Sequence, residues 1–218
     1  MAAHIQASHE TKFSSVYFVA ADGKQAERYK QKQDYIDQIE LDCLIQKRSQ
    51  SGVADALEWK PEFFPKQMIF QRGEQAYGFN GYNDSGNMVS QTFKDCHDRI
   101  HTVGGNQFFP VEILNQDHSP YPGQFYFFVP TTVREAINDV LGGGYFTQVT
   151  KDHRSFTIES MGRKRLAVFK DRIEGCAAWI DPAYSARTKR TFFSDTFLAE
   201  LQKQGVEGFH CATMWQEL

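Results

Sequence analysis

The sequence lacks the features that define several large classes of protein. Its four cysteines, Cys43, Cys96, Cys176 and Cys211, are far apart and form no CxxC pair, which argues against a zinc ribbon or a dithiol redox site. No stretch approaches the ~18 consecutive apolar residues of a membrane-spanning helix. Residues 1–11 lack the basic start and apolar run of a secretory signal. The expected location is therefore the cytosol, with the cysteines reduced.

A surplus of positive charge is also missing. The chain has 27 acidic and 24 basic residues, and a net charge of -3 argues against a strong binder of the nucleic-acid backbone. The imbalance is concentrated in residues 51–150, which hold 11 acidic and 6 basic residues. An acidic segment of this kind attracts a basic partner and speeds its capture, although it is also typical of an ordinary solvated surface.

Sequence motifs of catalysis are absent as well. The chain has no HExxH and no GxSxG, and the glycines at 142–144 are not followed by the Lys-Ser/Thr of a phosphate-binding loop. His97 and His101 have the spacing of two metal ligands on one helix face, but no third ligand is evident. We interpret them as two surface histidines, and we predict no metal, no cofactor and no catalytic residue.

Short apolar and aromatic runs bounded by turn residues predict strands. They lie at 14–21, 67–71, 108–114, 124–129, 145–149, 155–158, 166–169, 177–180 and 208–213. Helices are predicted after Ser90, over 132–140 and after Ser194, because serine is a favourable N-cap. Residues 39–45 alternate as in a half-buried strand, and a helix through Tyr35 and Ile39 fits them as well. Strands grouped with a few helices predict an α+β fold with a mainly antiparallel sheet.

One pattern occurs twice. Ser90 and Ser194 each begin a Ser-x-Thr-Phe sequence that follows apolar residues and precedes a helix, a glycine stop and an aromatic-led strand. The repeat indicates two related helix–strand halves with the same capping and stop chemistry.

Several segments together resemble a known family. They are the residues at 89–90, Phe108 to Glu112 (FFPVE), Phe125 to Val129 (FYFFV), 136–138, Phe192 to Phe197 (FFSDTF) and Gly205 to Phe209 (GVEGF). They resemble immunity family eleven of bacterial polymorphic toxin systems, over residues 65–215. Asn138 and the Cys211-Ala212 pair depart from the family pattern. We therefore divide the chain into an N-terminal strand and variable segment, 1–64, and an immunity-type α+β domain, 65–218, which form one compact unit.

The resemblance implies a cognate toxin, encoded nearby and used in competition between bacteria, for instance through type VI secretion. It implies no shared site residues. A toxin-binding surface is instead predicted from composition, because tyrosine on a Gly/Asn-rich loop gives adaptable contact area. Its members are Glu74, Tyr77, Phe79, Tyr82 and Asp84 in the stretch 73–87, and Asp117 and Tyr121 in the turn 117–121.

The alternative for these aromatic rings is that they fold inward as core. Two other functions also stay open. A small hydrolase that uses His97, Asp98 and His101 would show a concave pocket with perturbed titrating groups. A ligand-binding scaffold module would show a deep apolar pocket.

Overall fold

The computed structural model describes residues 2–7, 17–45, 59–82, 86–138, 144–150, 153–158, 167–181 and 191–218. Within these ranges the helices are α1 (Gln25–Ile45), α2 (Gln91–Ile100) and α3 (Asp195–Lys203), with short 3-10 turns at Pro61–Phe63 and Lys170–Ile173. The strands are β1 (Ala2–Ala7), β2 (Tyr17–Ala20), β3 (Gln67–Arg72), β4 (Phe79–Tyr82), β5 (Gly86–Ser90), β6 (Gln107–Leu114), β7 (Phe125–Val129), β8 (Gly144–Thr150), β9 (His153–Ile158), β10 (Ala167–Val168), β11 (Ala178–Ile180), β12 (Thr191–Phe193) and β13 (Phe209–Glu217). The fold is α+β and mainly antiparallel, as the sequence predicted.

The first sheet has six strands in the order β2-β3-β6-β7-β5-β4. All neighbours are antiparallel except β3 and β6. An aromatic core lies against it: Phe64 stacks on Phe109 with ring centroids 4.4 Å apart, and Phe127 beside them is fully buried. Helix α1 contacts this core through Tyr35, whose ring lies 5.2 Å from that of Phe63. The long α1 helix therefore belongs to the first sheet.

The second sheet has five strands in the order β10-β13-β1-β12-β11. Its strands are antiparallel except β10 and β13. Strand β1, from the start of the chain, lies in the centre of this sheet between β12 and β13. Strands β8 and β9 form a separate two-stranded antiparallel sheet.

An extended segment, residues 132–138, joins the two edges of the second sheet. Val133 pairs with Ile180 of β11, and Ile137 pairs with Val168 of β10. The carboxylate of Asp181, which is 1% exposed, accepts the N–H groups of residues 136 and 137 at 2.8 and 3.0 Å. The segment therefore closes the sheet. The helix predicted here is wrong for residues 132–138, because two strands distant in sequence take up the backbone hydrogen bonds.

The two sheets share one topology. Each has a parallel pair at one side (β3-β6 and β10-β13), a central strand antiparallel to both neighbours (β7 and β1), and a hairpin at the other side (β5-β4 and β12-β11). The first sheet adds β2 outside β3. The second half is permuted along the chain, because its central strand comes from residues 2–7 and not from a strand that follows β13.

The register confirms the relation between the halves. Val89 and Pro110 face the same residue of β7, and Phe193 and Met214 face the same residue of β1. The separation of Val89 from Phe193 in sequence equals that of Pro110 from Met214. The halves therefore match residue for residue from the strand before the helix into the strand after it.

The two cap serines have the same geometry, as predicted. The side chains of Ser90 and Ser194 accept the N–H groups of Phe93 and Phe197, each at 3.3 Å. The two helices then pack on each other at the centre of the molecule. The rings of Phe93 and Phe197 meet edge to face at 5.2 Å in a second aromatic core. The repeated pattern thus marks the place where the halves join.

Residues 39–45 belong to helix α1, so the strand predicted there is wrong and the helical alternative is correct. The first residues of α1 are good helix formers (Gln, Ala, Glu, Arg, Lys). Asp22 fixes the start, because its Oδ1 accepts the N–H of Lys24 at 3.0 Å and its carboxylate pairs with Arg28. The hydrogen bond from Arg28 holds the pKa of Asp22 well below its usual range.

Candidate functional site

The loop between β3 and β4, residues 73–78, is held at its C-terminal end. Asn80, 6% exposed, accepts the N–H of Tyr77 through Oδ1 at 2.9 Å and donates through Nδ2 to the Tyr77 carbonyl at 2.5 Å. The carbonyl of Gly78 accepts the N–H of Ser90 at 3.0 Å. Glu74 is exposed and Tyr77 is half-buried. The loop therefore carries an exposed acidic side chain and a half-buried aromatic one, and the backbone at Tyr77 and Gly78 is fixed by hydrogen bonds.

The turn between β6 and β7 is also well defined. The Oδ1 of Asp117 accepts the N–H and the hydroxyl of Ser119 at 2.9 and 2.6 Å. The hydrogen bond from the Ser119 hydroxyl makes the largest contribution to lowering the pKa of Asp117, and the bond from the Ser119 N–H adds to it. His118 beside it has a φ of 66°, a conformation that side-chain-bearing residues adopt seldom. Asp117 and His118 are both exposed at the tip of the turn.

Tyr121 brings this turn and the loop together. Its hydroxyl accepts the N–H of Ala76 at 3.2 Å, and its ring meets that of Phe70 edge to face at 5.3 Å. This hydrogen bond joins two segments that the sequence treated separately. We call these segments the loop patch: residues 73–77 and 117–121. It contains four of the predicted contact residues: Glu74, Tyr77, Asp117 and Tyr121.

Phe79 lies elsewhere. It is 1% exposed, and its ring packs in the second core, 5.8 Å from that of Phe93 and 6.2 Å from that of Phe193. Its N–H donates to the carbonyl of Glu207 at 2.9 Å, so the loop that follows α3 crosses to the first half. For Phe79 the inward-folding alternative is the correct one. The side chain of Tyr82 and all of Asp84 lie outside the described residues.

A polar network joins α2 to the second half. His97, 4% exposed, stacks on His101 with ring centroids 4.5 Å apart. Asn106 donates through Nδ2 to His97 Nε2 and to the carbonyl of Ala178, each at 3.0 Å. His101 Nδ1 accepts the N–H of Ala177 at 3.1 Å. The prediction of two surface histidines is wrong for His97, because its ring packs between the halves.

The hydrogen bonds of this network require neutral imidazoles. His97 and His101 each accept a hydrogen bond from an N–H donor, which a protonated ring cannot do at that nitrogen. Burial lowers the pKa of His97 to about 4, although Asp98 Oδ1, 3.2 Å from Nδ1, favours the charged form. Burial also lowers the pKa of His101. The perturbed pKa values that a hydrolase predicts are present, but these nitrogens are engaged by groups that hold the halves together.

Sequence reasoning missed Asn106, which organises the network. Besides its two donated bonds, its Oδ1 accepts the N–H groups of Thr131 and Thr132 at 3.0 and 3.1 Å. An asparagine directly after a glycine pair at a helix end is typical of a turn that uses side-chain hydrogen bonds, and this is the feature that marks it. Its partners are distant in sequence, so the pattern alone does not name them.

Other reactive groups in the described ranges are sparse. No group of three or more His, Cys, Asp or Glu side chains there is arranged to hold a metal ion. Cys96 and Cys176 are buried free thiols, and burial raises their pKa values. Across the same ranges, none of the helices is long and apolar enough to cross a membrane.

These features define an α+β protein of two related halves, in which the Tyr121 hydroxyl joins two loops that carry the exposed Glu74 and Asp117. The Immunity protein family (Imm11) matches residues 12–215, nearly the whole chain, and the protein belongs to this family. The match begins well before residue 65, so it also includes most of the N-terminal segment 1–64, which lies outside the resemblance found from the sequence. Membership indicates a toxin-neutralising immunity role and a toxin as the partner. No curated protein matches the chain.

Proposed function

We propose that the protein acts in the bacterial cytosol, where it binds and neutralises one secreted toxin by covering the toxin's active site or substrate path. The loop patch is the proposed contact surface. The observation that carries this proposal is the hydrogen bond from the Ala76 N–H to the Tyr121 hydroxyl, which joins the loop of the exposed Glu74 and the half-buried Tyr77 to the turn of the exposed Asp117. Aromatic anchors surrounded by satisfied polar groups are typical of high-affinity protein interfaces.

The charge of the two patch segments favours a basic partner. No lysine or arginine occurs from Gly73 to Phe93 or from Ile100 to Val133, while both stretches contain carboxylates. A toxin that cleaves nucleic acid needs a positive surface for its substrate, and a negative surface on the inhibitor is complementary to it. We therefore propose a nuclease as the toxin, delivered by a competing bacterium, for instance through type VI secretion.

The experiment combines co-expression with the neighbouring toxin gene and charge reversal in the patch. Glu74→Lys and Asp117→Lys, together, are expected to slow association at least about tenfold at low salt and to reduce protection, since rim charges act mainly on the association rate. Glu62→Lys is the matched control, because Glu62 is exposed on the 3-10 turn and outside the patch.

Three outcomes decide the proposal. Equal killing with and without the wild-type protein contradicts the immunity role for that toxin. Full protection and an unchanged association rate in the double variant contradict the loop patch as the contact surface. Cleavage of DNA or RNA by the purified toxin, and its inhibition by one equivalent of this protein, support a nuclease target, whereas another toxin activity contradicts it.

A further inference from the structure

Comparison of the two halves points to a second binding site. In the first half, residues 120–124 fill the space between the end of β6, the loop after β3 and the start of α2. Tyr121 donates its N–H to the carbonyl of Ile113 at 2.8 Å, and its hydroxyl accepts the N–H of Ala76. The carbonyl of Gln124 accepts the N–H of Gln91, the first residue of α2, at 2.9 Å. This segment is held by three elements at once.

The second half has the same three elements around an open space. The end of β13, the segment after β10 and the start of α3 line a cleft of about 780 Å³, together with Arg99 and Ile100 at the end of α2. A volume of this size is typical of a binding site for a small ligand or a few peptide residues. Here β1 takes the place of β7, and among the described residues no segment fills the space as 120–124 do in the first half.

The lining of the cleft suits a side chain with an apolar body and a polar tip. Ile173 and Cys176, 4% and 2% exposed, contribute apolar groups to the lining. Lys170 and Asp171 are exposed and contribute charged groups of both signs, while Thr196 lines the cleft from the start of α3. An aromatic ring on the apolar groups, with its hydroxyl near the polar ones, would repeat the placement of Tyr121 in the first half.

One hydrogen bond shows how closely the halves correspond at this point. Asp195 is the first residue of α3, as Gln91 is of α2. The N–H of Gln91 is bound by a backbone carbonyl, whereas that of Asp195 is bound by the side chain of Glu217, with Oε1 at 2.9 Å. A side chain thus takes the place that a backbone carbonyl has in the first half.

We propose that this cleft binds a turn of the partner protein that carries a tyrosine, placed as residues 120–124 are in the first half. The inference rests on the proposed function in one respect, since the partner is taken to be the toxin. The recognised chemistry is a short peptide turn with an aromatic side chain. The cleft is then a second contact, formed by different residues from those of the loop patch.

The test uses the full-length protein and a synthetic peptide with the sequence of residues 117–125, blocked at both ends. The peptide is titrated into isotope-labelled protein while amide chemical shifts are recorded. Saturable shifts are expected at Gly175, Thr196 and Leu218, which line the cleft. Replacing the peptide's tyrosine by alanine is expected to weaken binding at least about tenfold, because aromatic anchors dominate such contacts.

Two variants locate the binding. Thr196→Trp fills the cleft from an exposed position and is expected to abolish the shifts, while Gln202→Trp, exposed on the same helix but outside the cleft, is expected to keep them. Circular dichroism checks that both variants are folded. Absence of saturable binding, shifts at Ala76 and Gln91 instead, or undiminished binding to Thr196→Trp would each overturn the proposal. Because no toxin is present, failure here is distinct from failure of charge reversal in the loop patch.

Discussion

Mild acid is expected to destabilise this protein through His97. The ring is buried and accepts the Asn106 amide, and burial lowers its pKa from 6.5 to about 4. The unfolded chain binds a proton near pH 6.5, whereas the folded protein resists protonation until about pH 4. The stability contributed by the neutral ring is therefore fully present above pH 6.5 and is lost as the pH falls towards 4.

The size of the loss follows from the shift. One pKa unit corresponds to about 1.4 kcal/mol, so the whole window corresponds to about 3 kcal/mol, of which about 2 kcal/mol is lost by pH 5. His101 acts in the same direction, because its pKa is also lowered. Asp98, whose lowered pKa starts from 3.8, loses its contribution only at more acidic pH. Acidification therefore removes the contribution of the two histidines at a higher pH than that of Asp98.

Urea unfolding at about pH 7 and pH 5 measures this effect. In His97→Leu, residue 97 has the same side chain as Leu201, the residue at the matching position of α3. We expect the free energy of unfolding of this variant to differ much less between the two pH values than that of the wild type. Cys96→Ala is the control, because it removes a neighbouring buried side chain whose raised thiol pKa keeps it uncharged throughout. An equal loss of stability on acidification in His97→Leu and in the wild type would contradict this role of His97.

Two further predictions concern the backbone. Ser90→Ala and Ser194→Ala are each expected to lower the free energy of unfolding by about 1 kcal/mol in urea denaturation, since each removes an N-cap; no loss in either variant would contradict the equivalence of the caps. Gly208→Ala is expected to prevent stable folding, because φ is +104° there and a Cβ would lie 1.9 Å from the carbonyl oxygen of Phe79. Gly23→Ala, with φ at +69° and no atom within 4 Å, should cost only about 1 kcal/mol by thermal denaturation, and equal losses in the two variants would contradict the steric argument.

Local chemistry made part of the fold predictable from the sequence. The aromatic runs of β6 and β7 are bounded by turn residues, and the cap serines precede both short helices, so the sequence predicted these elements correctly. The relation between the halves was also visible, because both halves use the same cap and stop residues.

Long-range pairing decided the rest. Residues 132–138 have helix-forming residues such as Glu135 and Ala136, yet they are extended because β10 and β11 bind their backbone. Residues 2–7 form a strand because their backbone pairs with β12 on one side and with β13 on the other. Alternation at Ile39 and Cys43 favoured a strand, although the preceding helix-forming residues continue into one long helix.

The candidate site, like the fold, was only partly predictable from the sequence. Composition identified Glu74, Tyr77, Asp117 and Tyr121 as surface candidates, but it did not reveal that the Tyr121 hydroxyl joins the two loops. It also placed Phe79 with them, because a tyrosine- and glycine-rich stretch gives no indication of which ring turns inward.

The position of β1 has a consequence for synthesis on the ribosome. Among the described strands β1 is made first, whereas both of its neighbours, β12 and β13, begin only at Thr191 and Phe209. The first sheet can assemble while translation continues, whereas residues 2–7 must wait until β12 and β13 have been made. Pairing across so large a separation in sequence is slow, and until it happens the unpaired edges of β12 and β13 are open to misassembly with other nascent chains.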